Sequence, residues 1–203
     1  HLYQGNPFII ETMNAYGTGR GISFRIGPAS FFQTNSAQAG VLYKTAADFA
    51  GFSGDDAVYD LYSGIGSIAN YIAGAVRKVT GIESVPSAVE DARENAALNG
   101  ITNAVFFAGE AEKILTPEFI ADQGNPDIVI TDPPRAGMHE KVVRSLLSVL
   151  PKKIVYISCN PATQARDIAL MNDHYLVEKC QPVDMFPHTQ HVENIALLSK
   201  KNP

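Results

Sequence analysis

The sequence predicts an α/β fold of the Rossmann-like kind: a mostly parallel, seven-stranded sheet with helices on both faces and a small β appendage at the N-terminus. Three observations predict it. Short buried strands alternate with helices from residue 57 to about 172, a glycine turn follows the first of those strands, and two further strands close the chain. Parallel strands joined by helices of this length form right-handed crossovers, which leave an open sheet covered on both sides.

Each element has a local reason. Residues 1–30 alternate with period two, clearest in Ile22-Ser23-Phe24-Arg25-Ile26, around the turn Gly17-Thr18-Gly19-Arg20-Gly21. They read as a hairpin belonging to an upstream or central domain, and residues 31–203 as one α/β domain. Asn35 or Ser36 caps a helix to about Phe49. Strand Ala57–Leu61, helix Ser67–Ala75, strand Lys78–Ile82 and helix Pro86–Asn99 follow, the last with Pro near its start and Asn99-Gly100 as its stop. Strand 105–107, helix 111–120, strand 127–131, helix 139–150, strand 154–157 and helix 163–172 continue the rhythm. Residues 175–179 and 194–198 are read as an antiparallel edge.

Composition bounds the function. A chain of 203 residues with 45% hydrophobic and 18% charged positions can bury one domain-sized core, and no apolar run approaches a membrane span. Two cysteines, Cys159 and Cys180, cannot form a disulfide framework, and with no signal-peptide pattern a cytoplasmic, monomeric protein is expected. The net charge of −5 speaks against gripping nucleic acid by charge alone. The chain opens on His1 in strand-like material and is read as a piece of a longer protein.

In such sheets ligands bind at the carboxyl ends of the strands. There the first strand runs into Asp60-Leu61-Tyr62-Ser63-Gly64-Ile65-Gly66, whose Gly64 and Gly66 let backbone approach a ligand, although a plain tight turn would use the same residues. Glu83 follows the second strand, where a carboxylate can accept from both ribose hydroxyls or simply face solvent. The acidic Asp60 favours a cationic cofactor over a pyrophosphate. Asp132-Pro133-Pro134-Arg135-Ala136-Gly137 follows the fourth strand, its prolines fixing Asp132 and Arg135, the latter suited to a phosphate or carboxylate.

Strand five ends in Ser158-Cys159-Asn160-Pro161-Ala162-Thr163. A lone cysteine is commonly a small buried hydrophobe, but Cys159 stands at the ligand edge among polar neighbours. Asp184 to Glu193 carries His188, His191 and Glu193. Two histidines and a carboxylate could ligate a metal, but that leaves the rest of the chain unexplained, and no metal is assigned.

These three segments, with Phe31-Phe32-Gln33-Thr34-Asn35, resemble the signatures of the RNA uracil-5-methyltransferases over nearly the whole chain. The resemblance implies a class I, S-adenosylmethionine-dependent catalytic domain at 31–203. It makes Cys159 the nucleophile and Glu193 the base that removes the carbon-5 proton. Gln33, Tyr62, Glu83 and Asp132 become cofactor contacts beside the Gly64 turn, with Phe31, Arg135 and the His188 loop on the substrate side. Residues 162–167 and the His188 loop resemble the ribosomal-RNA branch, so 23S ribosomal RNA is the expected substrate, with transfer RNA, or a non-catalytic cofactor-binding domain, as alternatives. Ser63 and Ser67 depart from the family pattern. Relatives of this kind carry an upstream OB-like RNA-binding domain, and many an iron–sulfur cluster there; neither is in this chain. An NAD-dependent dehydrogenase would share only the first strand–helix–strand unit.

Overall fold

A computed structural model describes residues 5–201; residues 1–4 and 202–203, which the expected hairpin and catalytic segments include, lie outside the described residues. The elements are β1 (Ile9–Asn14), β2 (Gly21–Ile26), α1 (Ser36–Ala50), β3 (Ala57–Leu61), α2 (Ser67–Ile72), β4 (Lys78–Glu83), α3 (Pro86–Leu98), β5 (Ala104–Ala108), α4 (Ala111–Ile114), α5 (Pro117–Gln123), β6 (Ile128–Thr131), α6 (Glu140–Val149), β7 (Lys153–Ser158), α7 (Pro161–Ala169), β8 (Tyr175–Val183) and β9 (Glu193–Lys200).

The large sheet has the order β5-β4-β3-β6-β7-β9-β8, with β9 antiparallel to both neighbours and the other contacts parallel. The order reverses between β3 and β6, so the ends of β3, β4 and β6 surround one crevice. Alternate residues of each strand feed two apolar clusters, one per face. Val58, Ile130, Val155 and Leu197 meet α1 on one side, while Tyr59, Val129, Tyr156 and Leu198 meet α6 on the other.

Four details differ from the sequence reading. The expected 111–120 helix is two short ones, because Thr116 Oγ1 accepts from Phe119 N at 3.2 Å and Pro117 starts a new helix. The helix from Ser67 stays α-helical only to Ile72 and finishes as a 3₁₀ turn, Ala73–Ala75. Pro161 begins α7 two residues ahead of the expected start, with Asn160 as its N-cap. The terminal pair is not wholly an edge: β9 is interior and buried, and only β8 is exposed, carrying a bulge between Val177 and Lys179 and a proline at 182 that blunt further pairing.

The N-terminal hairpin is fastened to the domain. β2 pairs with β1 on one edge, and on the other its backbone meets two side chains of α3. Arg25 N donates to Asn95 Oδ1 at 2.7 Å and Ser23 N to Asn99 Oδ1 at 2.8 Å, while Asn99 Nδ2 returns a bond to Ser23 O at 2.8 Å. Two asparagines one helical turn apart stand in for a neighbouring strand, and Phe24 packs on Phe32 with ring centroids 5.6 Å apart. Asn95 also donates to Ile65 O at 3.2 Å, behind the glycine turn. Replacing Asn95 with Ala strands these groups, so Asn95→Ala should lower the unfolding free energy by about 2–3 kcal/mol. Urea denaturation checks this; a loss within about 0.5 kcal/mol, the surface range, would contradict it.

Candidate active site

Two adjoining cavities lie at the carboxyl edge of the sheet and share the wall Phe31-Phe32-Gln33. The first, a narrow cleft of about 40 Å³, is lined by Tyr43, Asp60, Tyr62, Ser63, Gly64, Ser67, Ile68 and Asp132. The second, about 260 Å³, is lined by Thr34, Arg135, Cys159, Phe186, His191 and Glu193.

The first cleft is built by the turn after β3. Tyr62 (φ 64°), Gly64 (φ 53°) and Gly66 (φ 77°) all take left-handed conformations. At Gly66 a Cβ would lie 2.9 Å from Asn70 Nδ2 and 3.1 Å from the Ala92 Cβ, so the start of α2 can press against α3 only without a side chain there. Asp60 is buried; its Oδ2 accepts from Ala69 N at 3.1 Å, while Oδ1 and the neighbouring Ser63 Oγ have no partner. Burial raises the Asp60 carboxyl to about 7, against the Ala69 bond and with help from Glu83. Asp132 is also pushed well above the carboxylate range, by burial first and then by Glu193 and Asp60.

Glu83 does not line the cleft. Its Oε2 accepts from Gly64 N at 3.0 Å and its Oε1 from Val85 N at 2.8 Å and Ser84 Oγ at 3.0 Å, which holds the carboxylate at the rim of the turn with acceptor capacity left on Oε2.

The second cavity takes its walls from three distant segments. Cys159 occupies the two-residue link between β7 and α7, where Asn160 N donates to Ser158 Oγ at 3.0 Å and Asn160 Oδ1 caps the helix at Ala162 N, 3.1 Å away. Glu193 is the first residue of β9. In the antiparallel register the last β7–β9 pair is Ser158 with Asn194, so Cys159 follows and Glu193 precedes that end of the ladder. Burial raises the Glu193 carboxyl, opposed by the nearby Arg135 guanidinium.

The 132–137 loop is tied to α7. Arg135 O accepts from Asn160 Nδ2 at 3.2 Å and Thr163 Oγ1 at 3.1 Å, and Arg166 Nη2 donates to Ala136 O at 2.8 Å. Buried Asp167 accepts from Met138 N and Tyr156 Oη, both at 2.7 Å. Gly137 (φ 81°) has no room for a Cβ, which would fall 2.5 Å from Asp167 Oδ2. The Arg135 side chain is thereby held at the cavity mouth, its Nη2 2.9 Å from His191 Nδ1.

Of the residues singled out from sequence, Gln33, Tyr62, Gly64 and Asp132 line the first cleft and Arg135, Cys159 and Glu193 the second, with Phe31 and Gln33 on the shared wall. Phe31 is 73% exposed. His188 is exposed in a left-handed turn and lines neither cavity; His191 takes the wall instead. Tyr43 and Ser67 were not singled out as site residues; both lie on helices whose approach to the cleft depends on packing. Among the described residues, no three His, Cys, Asp or Glu side chains converge as metal ligands, and no helix is long and apolar enough to cross a membrane.

A doubly wound sheet with an acid-flanked glycine turn at its switch point defines a Rossmann-like, class I methyltransferase domain. A tRNA m1G37 methyltransferase of M. jannaschii, 14% identical, shares this fold with a TM-score of 0.71 over 98% of this chain and 59% of its own. The sequence profile of the tRNA (uracil-5-)-methyltransferase family matches residues 2–201, and the chain belongs to that family. An RNA methyltransferase of Porphyromonas gingivalis is 56% identical over 97% of this chain and 42% of its own length, and one of Staphylococcus aureus is 46% identical over 88% and 39%. The chain thus spans about two-fifths of the length of these relatives. The tRNA (uracil-54, C5)-methyltransferase of Pyrococcus abyssi, solved with S-adenosyl-L-homocysteine, is 36% identical with a TM-score of 0.82, over 96% of this chain and 45% of that one.

The buried acids set a pH dependence. Asp60 moves from its ordinary 3.8 to about 7, so between those values the folded chain holds a proton that the unfolded chain releases. Its contribution is full below the unfolded value and is lost as pH rises through about 7. Stability therefore falls with rising pH, by at most about 1.4 kcal/mol per pH unit for this group. Asp60→Asn should remove that slope, so that the variant gains on the wild type from pH 5 to pH 8 in urea melts. A pH-independent difference would count against the burial argument.

Proposed function

We propose that this chain is the catalytic part of an S-adenosylmethionine-dependent enzyme that methylates carbon 5 of a uridine in RNA, with Cys159 as nucleophile and Glu193 as base. The observation that carries the reading is the pairing of cavities: Cys159 and Glu193 both line a space of about 260 Å³ that shares a wall with the acid-lined cleft at the glycine turn. The cofactor fits the residues of that turn. Asp60 Oδ1 and Ser63 Oγ are buried without partners, and the Asp60 and Asp132 carboxylates suit a cationic aminoacyl end. Glu83 has acceptor capacity for ribose hydroxyls at the rim, where a ligand larger than the cleft would extend.

Carbon 5 of uracil is a weak nucleophile. Cys159 Sγ adds to carbon 6, and the displaced π pair moves onto the carbon-4 oxygen, which leaves carbon 5 electron-rich. S-adenosylmethionine, when bound, supplies the electrophilic methyl group that carbon 5 takes up as the pair returns from the carbon-4 oxygen, with S-adenosylhomocysteine as the leaving group. Glu193 then accepts the carbon-5 proton, the freed pair reforms the carbon 5–carbon 6 double bond, and the bond from carbon 6 to Cys159 breaks to return the thiolate. Burial raises the proton affinity of Glu193, which suits a base, while Arg135 keeps it from rising further. The target base must leave its stack, and exposed Phe31 on the shared wall offers a stacking face.

Ribosomal RNA is proposed as the substrate on the likeness of residues 162–167 and the His188 loop to that branch; transfer RNA is the second reading, supported by the Pyrococcus enzyme. The test uses the full-length protein with unmodified 23S ribosomal and transfer RNA transcripts. Cys159→Ala should bind cofactor but form no adduct and no product. Glu193→Gln should methylate and then hold the RNA covalently, as a band shift on a denaturing gel. Turnover at the wild-type rate by Cys159→Ala would end the mechanism, and absence of a trapped band with Glu193→Gln would remove the base assignment. The transcript that gains methyl groups decides the substrate.

A further inference from the structure

The segment carrying Cys159 and the segment carrying Glu193 are joined by one buried side chain that the mechanism does not use. Gln164, in the first turn of α7, is 2% exposed. Its Nε2 donates to Tyr156 O on β7 at 2.8 Å and to Asn194 O on β9 at 3.1 Å, and its Oε1 accepts from Asn194 Nδ2. Asn194, buried as well, is completed by Cys180 Sγ on β8, 3.3 Å from its Oδ1. The cluster spans α7, β7, β9 and β8.

An apolar residue would fill this space without the cost of burying an amide, which is repaid only when its bonds are made. What the amide adds is position. Its two acceptors are main-chain oxygens three residues before Cys159 and one residue after Glu193. They sit at the end of the β7–β9 ladder, whose final pair is Ser158 with Asn194. Beyond that pair β7 turns into α7, while Glu193 stays paired with Val183 of β8. The register therefore places Glu193, but no rung of the β7–β9 ladder ties Cys159 to it.

We infer that Gln164 and Asn194 form a positioning clamp that sets the separation of Cys159 and Glu193 across the target base. Neither residue lines the cavity, so the clamp acts through the backbone. It rests on the reading of Cys159 and Glu193 proposed above. Both groups must reach opposite sides of one ring, and a displacement near 1 Å in such an arrangement costs up to about a hundredfold in rate.

The experiment compares Gln164→Met, which keeps length and bulk, and Asn194→Ala, which leaves both main-chain bonds of Gln164 intact, with the wild type in the full-length protein. Each is assayed well below its melting temperature on the transcript that wild type methylates. The clamp predicts kcat reduced roughly 10- to 100-fold by Gln164→Met and less by Asn194→Ala, with KM for both cofactor and RNA within about threefold. A role in stability alone predicts lower melting temperatures and unchanged kcat, and that result would overturn the clamp. If Gln164→Met fails to fold, Gln164→Leu, which also removes both donors, decides: wild-type kcat overturns the proposal and a reduced kcat at unchanged KM supports it. Cys159→Ala runs beside them. Should it turn over, the mechanistic reading fails; should it be inert while both clamp variants work at full rate, only the clamp fails.

Discussion

The antiparallel pairing of β9 against β7 is the constraint on which the candidate site depends. Every other strand of the parallel part delivers its carboxyl end to the ligand edge, so a residue at the start of a strand would ordinarily lie at the opposite edge, far from chemistry. Reversing β9 brings its first residue, Glu193, to the place where β7 releases Cys159. The register is held by burial: Ile195 and Leu197 point into one apolar cluster and Ala196 and Leu198 into the other. A slip of one residue would exchange these sets and turn Glu193 away from the cavity, which makes the position of the carboxylate a consequence of core packing.

The reversal also requires a return loop, and that loop supplies part of the wall. Residues 184–192 connect β8 to β9 and cross the segment before α1, where Asn35 Nδ2 donates to Met185 O at 3.0 Å. The same Asn35 caps α1 through Gln38 N at 3.2 Å. One side chain thus fixes the entry of a helix and the path of a loop 150 residues away, and the Phe31-Phe32-Gln33 wall lies between them. On the opposite side α7 holds the 132–137 loop through Asn160, Thr163, Arg166 and Asp167. Cys159 and Glu193 thus sit at the ends of strands whose flanking loops are tied to α1 and α7.

Local signals were legible in the sequence and long-range ones were not. Buried strands, the Gly64–Gly66 turn and the cysteine at a strand end each depend on a few adjacent residues, and the structure has these elements where the pattern puts them. The split at Thr116-Pro117 has a local cap, Thr116 Oγ1 on Phe119 N, that competes with continuation of the helix. The interior place of β9 could not be read, since pairing partners are set by the whole sheet. Asn95 looks like an ordinary polar position of a helix and Asn99 like its stop; their task as a surrogate strand depends on β2, 70 and 76 residues away. His188 and His191 are indistinguishable by type and spacing, and only the turn at Phe186–Thr189 sends one outward and leaves the other on the cavity wall.

The electrostatics of the site run against stability. Asp60, Asp132 and Glu193 lie in two adjoining, poorly solvated cavities; burial raises all three carboxyls, and Glu193 and Asp60 raise Asp132 further. Arg135 is the cation that opposes this at Glu193, and it stands at the mouth beside His191 and not between the acids. A domain selected for stability alone would fill such a space with apolar side chains, as it does two residues earlier along each segment with Val58 and Ile130. Retaining three acids there leaves an unmet demand for positive charge at one end of the crevice and a carboxylate of raised proton affinity at the other. A bound cation beside Asp60 and Asp132 would favour their ionised forms and so offset the cost of keeping two acids buried there.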